Sequence, residues 1–76
     1  MKFLTNKDIE ILRLVKEHNN TSKTTIAKHS YYIFENLKDT FERLISQKVI
    51  EINKTGVGSR TCVTITKRGN EVLSRL

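Results

Sequence analysis

The chain has 76 residues, with 14 lysines and arginines against 8 acidic residues, a net charge of +6, one cysteine and no proline. That length allows one small domain, residues 1–76, whose core is marginal alone, so a homodimer or a bound partner is expected. A lone cysteine excludes an intrachain disulfide and a cysteine-rich zinc site, and no apolar run approaches the roughly 20 residues of a membrane span.

The N-terminal stretch MKFLTNKDIE has early acidic residues and no small-residue cleavage site. It does not read as a signal peptide, and a soluble cytoplasmic protein is expected. A first helix is predicted from Asn6 to His18. Thr5 followed by Asp8 resembles a capping box with Asp in the usual place of Glu. Ile9, Ile11, Leu12 and Val15 make an apolar stripe at helical spacing. Asn19-Asn20 closes the helix, because asparagine tolerates the left-handed conformation. A short second helix is predicted from Lys23 to His29, capped by Thr21 or Ser22, with Ile26 and Ala27 inward. A turn follows from Ser30 to Ile33.

The third helix is predicted from Phe34 to Gln47. Leu37, Phe41, Leu44 and Ile45 form its buried face. Val49 to Asn53 and Thr61 to Thr66 then switch to strand-like alternation. Between them lies Lys54-Thr55-Gly56-Val57-Gly58-Ser59-Arg60, where two glycines permit the positive φ of a hairpin tip. Thr66 can cap a last short helix with Val72 and Leu73 inward. Cys62 reads as a small strand residue, or as an intermolecular disulfide partner if it faces a dimer seam. The order of elements is α+β, three helices plus a two-stranded hairpin and a short C-terminal helix.

Charge is distributed unevenly along this order. Residues 1–34 carry net +3, residues 35–47 net −1 and residues 48–76 net +4. A positive balance in so small a domain favours a polyanionic partner, usually nucleic acid. No catalytic constellation stands out, so no enzyme is expected. Gly56 and Gly58 lie between strands, not ahead of a helix, and no Gly-Lys-Ser/Thr follows them. His18 and His29 lack a metal-ligand spacing partner and read as surface residues. No cofactor or metal is called for.

Four segments resemble the winged helix-turn-helix superfamily, and within it the MarR-like and PadR-like regulators and small viral or plasmid relatives. LTNKDIEILRLV is similar to their first helix and TTIAKHS to their second. LKDTFERLISQKVIE is similar to their third helix running into the first wing strand. VTITKRGNEVL is similar to the second wing strand and the next helix, with a Thr-x-x-Gly pattern common there. The resemblance implies a transcription regulator that meets double-stranded DNA with its third helix and wing. It does not extend to the long terminal helices that dimerise MarR-like proteins. A dimer would then use the first helix, the last helix or a wing edge. Tyr31 stands about where these proteins carry a glycine in the turn. No small-molecule effector is evident.

The candidate binding surface follows residue by residue. On the third helix, Glu35, Asn36, Asp39, Glu42, Arg43 and Ser46 face outward, with Lys38 at the margin. Asn36 suits adenine, and Arg43 suits guanine or a phosphate. Glu35, Asp39 and Glu42 repel phosphates unless they lie deep in the groove, where a carboxylate accepts from cytosine. The alternative is a solvated face with helical pairing such as Asp39–Arg43. In the wing, Lys54 and Arg60 with Thr55 and Ser59 suit phosphate or minor-groove contact, or merely block edge pairing. Ser22, Lys23, Thr24 and Lys28 place donors and charge on the second helix, whose N-terminus suits a phosphate. Of the two tyrosines, Tyr32 is expected in the core and Tyr31 on a phosphate, or both packed in the core or at a dimer seam. A protein-interaction module using the acidic face of the third helix remains a second reading, since fold does not fix function. An RNA-binding winged helix shares the charge argument.

Overall fold

The computed structural model describes residues 4–54 and 61–76. Its elements are α1 (Asn6–Glu17), α2 (Lys23–Lys28), a 3-10 turn (Phe34–Leu37), α3 (Lys38–Ser46), β1 (Ile50–Lys54), β2 (Thr61–Ile65) and α4 (Lys67–Ser74). The two strands pair antiparallel, with Ile50 opposite Ile65 and Ile52 opposite Val63.

Local chemistry starts and stops each helix. At α1 the capping box is complete: Asp8 N–H donates to Thr5 Oγ1 at 3.2 Å, and Thr5 N–H donates to Asp8 Oδ2 at 2.9 Å. Ser22, rather than Thr21, caps α2 by accepting from Thr25 N–H. Thr66 caps α4 by accepting from Gly69 N–H and donates its own hydroxyl to Lys48 O at 2.7 Å. That single threonine therefore ties the start of α4 to the end of α3.

One core serves all the elements. Ile11, Leu12 and Val15 of α1 meet Ile26 of α2, Leu37, Phe41 and Leu44 around α3, Val49 in the joint after it, and Ile50 and Val63 of the hairpin, all almost fully buried. The Asn19-Asn20 pair does more than end α1. Asn20 takes φ 67°, as its position led us to expect, and its N–H donates to Val63 O at 2.9 Å. Asn19 Oδ1 accepts from Ile65 N–H, and Thr21 forms a bridge to Val63. The link between α1 and α2 thus lies against β2 as a fragment of third strand.

Several boundaries differ from the sequence reading. The first and second helices each end one residue early, at Glu17 and Lys28, with His18 and His29 as C-caps. Val49 and Thr66 lie outside the strands, the first buried in the joint after α3 and the second committed to its cap. The third helix does not run regularly from Phe34. No side chain caps that end, Asn36 N–H closes a tight bond to Ile33 O at 3.0 Å, and regular helix begins only at Lys38.

Candidate nucleic-acid interface

The turn between α2 and α3 sets the geometry of this face. Ser30 organises it: its hydroxyl donates to Ala27 O and accepts from Tyr32 N–H. Among the described residues other than glycine, positive φ occurs only at Asn20 and Lys48. Tyr31 is not one of them, so this turn does not need the glycine that stands there in related turns. The tyrosines divide their roles. Tyr32 is half-buried against the core and donates its O–H to Glu10 Oε2 at 3.1 Å. That hydrogen bond, ahead of burial and of repulsion by the Glu10 charge, raises the Tyr32 phenol above the ordinary tyrosine value. Lys7 Nζ stands over its ring, 4.8 Å from the centroid. Tyr31 projects into solvent, so the two do not both pack in the core of the chain.

The outer face of α3 and its entry turn carries most of the residues expected there. Glu35, Asn36, Lys38, Asp39, Glu42 and Ser46 are exposed. Arg43 departs from the expected arrangement. Its Nη1 donates to both carboxylate oxygens of Asp8, at 2.7 and 2.9 Å, and Asp8 is fully buried. This is the ion pair found among the described residues, and the expected Asp39–Arg43 pair is not formed. The physical reason is the environment of the two carboxylates. Asp39 is in water and has little to gain, whereas a buried Asp8 needs a cation. Lys7 adds a second tie, its Nζ donating to Asn36 O at 2.7 Å. The back of the third helix is thereby fixed to the start of α1 at two points, 29 and 35 residues apart in sequence.

On α2, Lys23 sits with its Nζ 5.8 Å from the Phe41 ring centroid, and Thr24 and Lys28 are exposed. The Ser22 hydroxyl is engaged with Thr25 through both its backbone and its side chain. In the wing, Lys54 pairs with Thr61 at the end of β1, whereas Thr55, Ser59 and Arg60 lie outside the described residues. The two histidines are not isolated surface groups. Their rings stack with centroids 4.1 Å apart, joining the C-terminal ends of α1 and α2.

Three features escaped the sequence reading: the Asp8–Arg43 pair, the Lys7–Asn36 tie and the exposure of Ile33 and Phe34 beside Tyr31. A buried acid at a capping position and a long cation on a helix one turn from its end carry no local pattern that links them. Ile33 and Phe34 flank a helix start, where an apolar residue reads equally well as core.

Three helices, an antiparallel hairpin after the third and a helix that packs back behind it define the winged helix-turn-helix fold. No protein-family model and no curated protein matches the chain. Solved structures do. The FabT structure of Streptococcus pneumoniae, in complex with DNA, superposes with a TM-score of 0.88 at 12% identity, over 97% of this chain and 52% of that one. The PcaV transcriptional regulator of Streptomyces coelicolor, in complex with its natural ligand, gives 0.86 at 15% identity, over 95% and 52%. The adhesin competence repressor AdcR of Streptococcus pyogenes gives 0.81 at 20% identity, over 95% and 53%. The present chain spans about half the length of each of these proteins. Among the described residues, no helix is long and apolar enough to cross a membrane.

Proposed function

We propose that this chain binds double-stranded DNA as a transcription regulator, setting α3 and its entry turn against the major groove and the wing against the flanking backbone. The observation that carries the reading is the mounting of α3. Its inner side is buried and held to α1 by Asp8–Arg43 and Lys7–Asn36, while Asn36 and Lys38 are presented outward on a fixed frame. Asn36 has the donor and acceptor pair that matches adenine N7 and N6, and Lys38 matches a phosphate. A net charge of +6 supplies the long-range attraction. The structural likeness to FabT, solved in complex with DNA, supports DNA as the partner.

A homodimer on an inverted repeat follows from the small core and from the symmetry of duplex sites. Arg43 enters this scheme as the residue that positions α3 and not as a base reader. Lys23, Lys28, Lys54 and Arg60 serve the backbone. Thr55 and Ser59 add hydroxyl donors beside them.

The direct test is fluorescence anisotropy of a labelled AT-rich duplex at low and at moderate salt. Saturable binding that weakens with salt is expected, with Asn36→Ala mainly blunting preference among sequences and Arg60→Ala weakening binding to all of them. Absence of binding by a folded sample at low salt would overturn the reading. It would direct attention to a basic protein partner for Glu35, Asp39 and Glu42.

A further inference from the structure

Three apolar side chains stand in water where the chain enters the third helix. Tyr31 is 95% exposed, Ile33 64% and Phe34 37%. Ile33 and Phe34, with Thr24, Ala27, Lys28 and Tyr32, border a shallow groove walled mostly by hydrocarbon. Single apolar residues on a surface need no explanation, but a cluster at the mouth of a binding face does.

The cluster is held in place from below. The Phe34 ring lies 6.4 Å from that of Phe41, which is buried, and Asn36 N–H bonds Ile33 O across the 3-10 turn. Ile33 and Phe34 therefore sit on a fixed backbone. Their surroundings are ionic: Lys28 borders the groove and Lys38 begins α3, both exposed. Two cations beside an apolar wedge complement a ligand with anionic rims and small apolar projections between them. The major groove of DNA has that layout, with phosphates on both sides and the C5-methyl of thymine as the apolar group among its base edges.

Resting on the DNA-binding reading above, we propose that Tyr31, Ile33 and Phe34 form a wedge that selects thymine by burying its methyl group. The neighbouring residues suit that task. Asn36, three residues beyond Ile33, matches adenine, so amide and wedge read the two halves of A·T pairs. Glu35, Asp39 and Glu42 on the same surface repel phosphates and can accept in the groove only from the exocyclic amine of cytosine or adenine, which favours base edges over backbone along this face.

The test removes the methyl and nothing else. The duplex that the protein selects from a randomised pool is synthesised once with thymine and once with uracil, which keeps the same hydrogen-bonding edge. Wild-type protein is expected to bind the uracil duplex about fourfold more weakly for each methyl buried. Ile33→Ser and Tyr31→Ser, both at exposed positions, are expected to narrow that ratio, with melting curves confirming that they remain folded. Equal affinity for the two duplexes, an unchanged ratio in both variants, or a selected site without thymine overturns the proposal and leaves DNA binding standing. Dissociation of a dimer by Ile33→Ser also overturns it, assigning the patch to contact between copies of the chain. Failure to bind any duplex of the pool sinks the DNA-binding reading itself.

Discussion

Asp8 performs two functions in one fully buried carboxylate. It completes the α1 capping box and it receives Arg43 from the other side of the core. Deleting the arginine leaves a buried anion with one backbone donor, whereas deleting the aspartate frees a cation that water can solvate. Because the Arg43 side chain is 39% exposed, water softens the loss below that of a wholly buried pair. Arg43→Ala is expected to lower stability by about 2 kcal/mol, measured by urea denaturation. Asp8→Ala adds the loss of the cap, about 1 kcal/mol. If the two residues act through each other, the double variant loses little more than the worse single one, and additive losses would refute the coupling. Gly69 is a second residue set by a neighbour distant in sequence. A Cβ there would land on the carbonyl oxygen of Val49 and against the Ile65 side chain, and the carbonyl is held because it accepts from Thr66 N–H. Gly69→Ala should therefore cost about 1–3 kcal/mol despite the helix propensity it gains. A variant that melts at or above the wild-type temperature would show that the joint between β2 and α4 can shift.

The end of α3 is where local sequence and local structure disagree most usefully. Lys48 N–H donates to Ile45 O and Val49 N–H to Leu44 O, while Lys48 takes φ 61°. That is a Schellman cap, with Leu44 and Val49 both buried in the core and lysine where glycine is usual. Lys48→Gly is expected to stabilise the domain by up to about 1 kcal/mol by removing the left-handed penalty, offset in part by the freer unfolded chain. Destabilisation in a denaturant titration would mean that the lysine stem contributes packing that outweighs its strain. This cap also explains why elements were legible in the sequence while some of their edges were not. The stripes Ile11-Leu12-Val15 and Leu37-Phe41-Leu44 set helix identity through periodicity alone, and Thr5, Ser22 and Thr66 mark starts by chemistry confined to three or four residues. The irregular entry at Phe34–Leu37 depends on how Leu37 seats in the core, and Val49 leaves the strand to serve a cap. The first is a tertiary demand that no window of ten residues contains; the second closes within Leu44–Val49 but was hidden because lysine stands where a glycine would have marked the cap. The outward face of α3 was readable from the same periodicity, except at Arg43, whose position is decided by a buried acid 35 residues away.

At the scale of the whole molecule, the charge pattern separates two kinds of contact that α3 and its surroundings make available. Lys23, Lys28 and Lys38 on the helices, with Lys54 and Arg60 from the wing sequence, are the cations assigned to phosphates. The wedge at Tyr31, Ile33 and Phe34 carries no charge. The two kinds respond differently to salt. If all five cations displace counterions, the slope of log affinity against log salt is about −4.5 per bound chain, and about twice that for a dimer. For a single chain, raising salt from about 50 to about 200 mM should then weaken binding about 500-fold. Lys28→Ala should flatten the slope by about one, because it removes one phosphate contact. Ile33→Ser should weaken binding to thymine-containing duplexes at every salt concentration and leave the slope unchanged, because burying a methyl releases no ion. Anisotropy titrations at four salt concentrations with these two variants measure both effects together. A slope that Lys28→Ala does not alter would place Lys28 outside the interface. A slope that Ile33→Ser does alter would mean that the wedge positions the cations and does not itself touch the bases.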